Sequence, residues 1–192
     1  MSDDDTYKIL LIGNSSVGKS SIIKKYINNS FEPSSISTVG VEYFKKTVMI
    51  DNKEYTLNIM DTCGQERFSA ILPSYFKSAD GIIFVFDITN KISFQCIEKW
   101  LKLADDNATY KAILVGNKID LEKIREVNKE EVEEFKEKQK MEYYETSAKN
   151  GTNINEIFTG ITKILIEGND IKTTHTFKIG QENKNEKKNN CC

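Results

Sequence analysis

Residues 13–20 read GNSSVGKS, directly after the apolar run YKILLIG (7–13) and at the start of GKSSIIKKYI. A short apolar run ending in glycine suits a buried strand, and the segment after it suits a helix. The pattern G-x-x-x-x-G-K-[ST] between a strand and a helix bends the backbone around an anion. Gly13 and Gly18 let the chain fold tightly with its N–H groups pointing inward, and the helix N-terminus adds partial positive charge. Lys19 is placed to reach the β and γ phosphates of a nucleotide, and the Ser20 hydroxyl to hold Mg²⁺.

The rest of the chain continues this strand–helix rhythm. VEYFKKTVMI and YTLNIMD read as strands joined by a four-residue turn, DNKE. In the second, Tyr55, Leu57 and Ile59 alternate with Thr56, Asn58 and Met60. GIIFVFD (81–87) and AILVGN (112–117) are continuous apolar runs, as strands buried on both faces should be. Between them Phe94, Ile97, Leu101 and Ala104 recur at helical spacing. EEVEEFKEKQ reads as a charged helix, EYYETS as a last short strand, and Ile154, Ile157, Phe158, Ile161 and Leu165 as one face of a final helix. Alternating strands and helices predict an α/β domain with a mainly parallel sheet and one antiparallel strand from the hairpin. Apolar periodicity stops near Gly168, so a domain over 1–168 and a flexible polar tail over 169–192 are expected.

The totals exclude several classes. A chain of 192 residues fits one domain with a tail. With 29 acidic and 27 basic residues the net charge is −2, which argues against nucleic-acid binding. The N-terminus MSDDDTYK has no secretory pattern, and the run GIIFVF is too short to span a bilayer, so folding in the cytosol is expected. Cysteines stand at 63, 96, 191 and 192 with no C-x-x-C pair, and the one histidine is His175. Zinc binding and Cys/His catalysis therefore lack partners.

A second motif selects the base. NKID (117–120) follows a buried strand, so it lies at the carboxyl end of the sheet, where α/β folds bind ligands. The Asp120 carboxylate can accept from the two N–H donors on one edge of guanine; adenine lacks that pair and would leave a buried charge unpaired. Asn117 would tie this loop to the base and the phosphate loop, and the stem of Lys118 would cover the ring. TSAK (146–149) also follows a strand and offers backbone N–H groups for guanine O6.

With these motifs the chain resembles a small GTPase of the Ras superfamily, in its Rab branch, over about residues 6–168. The resemblance implies the P-loop NTPase fold: a six-stranded, mostly parallel sheet with one antiparallel strand and five helices. It implies GTP and GDP as substrate and product and Mg²⁺ as the metal. The nucleotide would be bound by Ser15, Ser16, Val17, Gly18, Lys19, Ser20 and Ser21 of the first loop, with Phe31 packed on guanine. Asn117, Lys118 and Asp120, then Ser147, Ala148 and Lys149, would complete the base pocket. STVGVEYF (37–44) is similar to the first switch loop, with Thr38 sensing the γ-phosphate through the metal. DTCGQERF (61–68) is similar to the second: Asp61 holding the metal through water, Gly64 meeting the γ-phosphate and Gln65 orienting the attacking water. Lys19 and Gln65 are the expected catalytic residues. No arginine occurs in the first switch, so fast turnover is expected to need an activating protein.

The resemblance also implies partners. An exchange factor, a GTPase-activating protein, GTP-state effectors, a GDP-dissociation inhibitor and a prenyltransferase escort are expected to act on a monomer. Tyr43, Met60 and Tyr75 match the family's aromatic effector cluster, with methionine in place of the usual tryptophan. Cys63 stands where alanine is usual; its expected role is to fill space, with a redox thiol as the alternative. The terminal Cys191 and Cys192 look like a double prenylation site, which would hold the chain on the cytoplasmic face of an intracellular membrane while it cycles with the cytosol. A GTP-binding module with little hydrolysis, a P-loop kinase and a soluble Ras- or Ran-like switch are the competing readings. Gln65, Thr38 and Lys19 stand against the first, NKID and TSAK against the second, and the terminal cysteines against the third.

Overall fold

The computed structural model describes residues 5–32, 40–62 and 72–179, with side chains as far as 168. Strands β1 (Thr6–Ile12), β2 (Val41–Ile50), β3 (Lys53–Thr62), β4 (Gly81–Asp87), β5 (Lys111–Asn117) and β6 (Glu142–Thr146) form one sheet in the order β2-β3-β1-β4-β5-β6. Among the described strands only β2 pairs antiparallel, with β3; the other strand pairings are parallel. This is the sheet expected from the apolar runs. All seven residues of β4, the most apolar run, are buried, because helices cover both of its faces.

The β2–β3 turn differs from expectation. It contains two residues, Asp51 and Asn52, rather than the four of DNKE, because both adopt positive φ (49° and 63°). A two-residue turn of that kind matches the twist of paired strands, and Asp and Asn tolerate it better than most residues.

The described helices are α1 (Lys19–Asn28), α2 (Leu72–Ser78), α3 (Lys91–Gln95), α4 (Ile97–Asp105), α5 (Lys129–Gln139) and α6 (Ile154–Ile179), with a 3₁₀ segment at Ile119–Ile124. Six helices stand where five are expected because the segment around Phe94 and Ala104 is divided at Cys96. Cys96 itself keeps right-handed helical angles (φ −69°, ψ −13°), so α3 runs almost directly into α4. The α6 backbone continues past 168, where apolar periodicity stops, to Ile179. Among the described residues no helix is long and apolar enough to cross a membrane.

Two cores flank the sheet. On one face Ile22, Ile23 and Tyr26 of α1 and Ile157, Phe158 and Ile161 of α6 pack on Ile9, Leu57, Ile83 and Val115. On the other, Phe76 of α2, Phe94 of α3, Trp100 and Leu101 of α4 and Val132 of α5 pack on Leu10, Ile82, Phe84 and Leu114. Each fully buried Leu, Ile or Phe contributes about 1.5–3 kcal/mol of transfer free energy. The parallel strands align their carboxyl ends on one edge: Asp87 lies opposite Asn117, and Asn117 opposite Thr146. The loops after β1, β4, β5 and β6 therefore emerge together.

Candidate nucleotide site

The loop after β1 is shaped by its glycines. Gly13 has φ +152°, and a Cβ there would lie 2.1 Å from the Val85 carbonyl oxygen. Gly18 has φ +100°, and its Cβ would lie 2.3 Å from Asn117 Nδ2. The loop thus presses against the ends of β4 and β5 so closely that only glycine fits. Ser15 and Ser16 are exposed at its tip, Ser16 with φ 64°, while Val17 is buried beneath. Gly18 opens α1, so the free N–H groups of the first helical turn face this loop. Ser20 and Ser21 follow in that turn, half-buried.

Lys19 is 5 % exposed. Its Nζ donates to the carbonyls of Gly13 (2.8 Å) and Asn14 (2.9 Å). The ammonium is thereby held inside the loop, where an anion cradled by the backbone would meet it. Asp61 is buried near the end of β3, opposite Leu11 of β1, and the neighbouring Thr62 hydroxyl donates to the Leu11 carbonyl (2.8 Å). Ser20 and Asp61 supply hard oxygen donors, a type that suits Mg²⁺ binding alongside phosphate oxygens.

Asn117 joins three loops. Its Nδ2 donates to the Val17 carbonyl (2.9 Å), and its Oδ1 accepts from Thr146 Oγ1 (3.2 Å) and the Ala148 N–H (3.3 Å). Asp120 is oriented by the Ser147 hydroxyl (2.6 Å) and by Lys149 Nζ at 3.9 Å. Ser147 Oγ accepts in turn from the Asn150 N–H (3.1 Å), so its own position is fixed. Lys118 adopts φ 72°, and its Nζ meets Asp87 Oδ2 at 2.6 Å. The motifs far apart in sequence are therefore one side-chain network. It presents a carboxylate able to accept from paired N–H donors, beside a loop able to cradle phosphates.

Further residues belong to the network without a sequence motif. Asp87 ends the apolar run of β4. Its Oδ1 accepts from both the N–H and the hydroxyl of Thr89 (2.9 and 2.7 Å). Arg125 bridges Glu122, after NKID, to Glu145, before TSAK (2.6 and 2.8 Å). The Arg125 guanidinium holds the Glu122 carboxyl below the usual carboxylate range. Trp100 Nε1 donates to Asn14 Oδ1 (2.9 Å). The signals in the sequence are an acidic residue at the end of a buried strand and the chain's one tryptophan.

Other expected site residues lie apart from this network. Phe31 is half-buried and packs against the core cluster of α1 and α6. Tyr43 is exposed and shares a side-chain hydrogen bond with the half-buried Tyr75. Met60 lies opposite Tyr43 across β2–β3, yet it is 3 % exposed and packs with the core of Leu10, Leu72 and Phe76. The second face of β3 is covered at Met60, so alternation there does not lead to solvent. Thr38, Cys63, Gly64, Gln65, Cys191 and Cys192 lie outside the described residues.

A glycine-bent loop opening a helix, a carboxylate-bearing loop beside it and a mostly parallel sheet define a P-loop nucleotide-binding α/β protein. The Ras family model matches residues 8–167. The chain is 44 % identical over 165 residues to Ras-related protein Rab-30 of Homo sapiens, covering 85 % of this chain and 81 % of that protein. It is 45 % identical over 165 residues to Ras-related protein Rab-1 of Theileria parva, covering 84 % and 75 %. It is 36 % identical over 194 residues to Ras-related protein Rab-13 of Rattus norvegicus, covering 96 % of each. The chain belongs to the Ras family and, within it, to the Rab small GTPases, GTP hydrolases of membrane traffic.

Proposed function

We propose that this chain binds GTP and GDP together with Mg²⁺ at the edge formed by the loops after β1, β5 and β6, and that GTP hydrolysis switches its effector surface. The observation that carries this reading is Asn117, which holds the phosphate loop and the second base loop at once. Asp120 accepts from the guanine N–H edge, with Ser147 and Lys149 orienting it. Ser147, Ala148 and Lys149 contribute backbone to the base pocket, the Lys118 stem covers the ring, and Phe31 packs on its edge. Lys19 neutralises charge on the β and γ phosphates, and the N–H groups of Ser15 to Ser21 surround them.

Ser20, Thr38 and Asp61 would hold Mg²⁺, which supplies charge neutralisation at the β–γ bridge when bound. Gln65 orients the attacking water in line with the leaving oxygen, and the Gly64 N–H meets the γ-phosphate. Hydrolysis then needs positioning more than covalent chemistry. It is slow until an activating protein supplies further positive charge. Cys63 fills space beside these groups.

The domain ends near Gly168, and the segment to Cys192 is the tail that carries two prenyl groups on Cys191 and Cys192. Two lipid chains give stable attachment where one gives only reversible binding. The site of action is then the cytoplasmic face of an intracellular membrane, with a GDP-dissociation inhibitor and a prenyltransferase escort as soluble partners. An exchange factor, an activating protein and effectors reading Tyr43 and Tyr75 complete the cycle.

Single-turnover hydrolysis of GTP by the purified chain tests the reading, with Gln65→Leu alongside. The expected result is slow phosphate release that Gln65→Leu reduces further at unchanged nucleotide affinity. An equal rate in both would overturn the role given to Gln65. Intact-mass measurement of the membrane-bound chain should show two prenyl groups; an unlipidated C-terminus there would overturn the attachment.

A further inference from the structure

Trp100 is buried in α4, a helix outside the loops that form the base pocket. Its Nε1–H donates to Asn14 Oδ1 at 2.9 Å, joining residues 86 positions apart. Asn14 is engaged through its backbone as well, where its carbonyl accepts from Lys19 Nζ at 2.9 Å. The indole therefore grips the side chain of the residue whose carbonyl aims the lysine. α4 gives that grip a firm base, because Ile97, Leu101 and Ala104 on the same helix are buried in the core. The loop itself contains a non-glycine residue at positive φ, Ser16 at 64°, an uncommon conformation.

We propose that Trp100 is a positioning residue of the phosphate loop, its indole N–H holding Asn14 and, through Asn14, the carbonyl that orients Lys19. Trp100 touches no substrate. Its effect reaches the phosphates through one side chain and one carbonyl, so losing it loosens the nucleotide rather than the base specificity. A buried tryptophan that merely fills space would also satisfy its N–H, but it would not set the rate of nucleotide release.

The inference rests on the guanine-nucleotide reading of this loop. The test uses the full chain loaded with fluorescent GDP and Mg²⁺, and the variants Trp100→Phe, Asn14→Ala and the pair. Trp100→Phe keeps an aromatic ring, and Asn14→Ala leaves the tryptophan's packing untouched. Each single variant should speed GDP release by about three- to tenfold, the range one hydrogen bond commands. The pair should release no faster than either single variant, because both break the same bond. Leu101→Val, a core change on the same helix, should lower the melting temperature without speeding release. The chain's single tryptophan gives one indole N–H resonance, which Asn14→Ala should shift. The β-phosphate ³¹P resonance of bound GDP should shift in Trp100→Phe. Release at the unaltered rate in both single variants, or effects that multiply in the pair, would overturn the inference while leaving the nucleotide reading intact. A chain that holds no GDP at all overturns both.

Discussion

Lys118 Nζ and Asp87 Oδ2 lie 2.6 Å apart, joining the end of β4 to the residue after β5. The carboxylate side chain is 8 % exposed and the lysine side chain 31 %. The pair fixes a lysine whose backbone sits at φ 72°, and so fixes the stem proposed to lie across the base. Asp87→Asn keeps an oxygen that can accept both bonds from Thr89 and removes the charge. GDP release is expected to rise about three- to tenfold, a modest effect because the lysine is partly solvated. A fluorescent-GDP chase measures it, and an unchanged rate would contradict the role.

Asp120 accepts from Ser147 and stands 3.9 Å from Lys149. Asp120→Asn keeps an acceptor for Ser147 and loses the charge that guanine would meet. Charged hydrogen bonds contribute about 1.5–3 kcal/mol, so GDP affinity should fall roughly 10- to 100-fold. Calorimetric titration with GDP checks this; undiminished affinity would remove Asp120 from the base pocket.

Gly18→Ala places a methyl 2.3 Å from Asn117 Nδ2. The amide must move, and its bonds to Val17, Thr146 and Ala148 move with it. Overpacking of this kind costs about 1–3 kcal/mol. The melting temperature should drop and nucleotide binding should weaken together. Gly40 makes a useful comparison: it also has positive φ (+92°), but a Cβ there meets nothing within 4 Å. Gly40→Ala should therefore lower the melting temperature less.

Tyr26 stacks on Phe158 at 3.8 Å between ring centroids, and burial pushes its hydroxyl pKa up to about 12. The unfolded value is near 10. The folded state favours the neutral phenol, so its contribution is complete below about pH 10 and is lost as pH rises towards 12. Denaturant midpoints should fall across that window, and less steeply in Tyr26→Phe. Equal slopes would mean that the Tyr26 hydroxyl has the same pKa in the folded and the unfolded chain.

The sequence exposes those features that local pattern controls. The β4 and β5 runs are apolar enough to read as buried strands, and GNSSVGKS and NKID carry their chemistry in adjacent residues. The contacts that unite them do not follow from local pattern. Asp87 faces Asn117 only because β4 and β5 pair in that register. Arg125 reaches Glu145 only because β6 lies next to β5. The bond from Trp100 to Asn14 depends on how α4 sits against the β1 loop. Met60 shows the same dependence: alternation along β3 marks two faces, and only the covering elements decide whether either is wet. The place of the hairpin is legible, but its length depends on Asp51 and Asn52 both taking positive φ.

Nucleotide titration of the purified chain, with GDP, GTP and ATP compared in the presence of Mg²⁺ and phosphate release followed in the same samples, bears most directly on the proposed site. Tight binding of GDP and GTP, far weaker binding of ATP, and slow phosphate release from GTP alone are expected. Comparable affinity for ATP and GTP would contradict the base selection assigned to Asp120, Ser147 and Asn117.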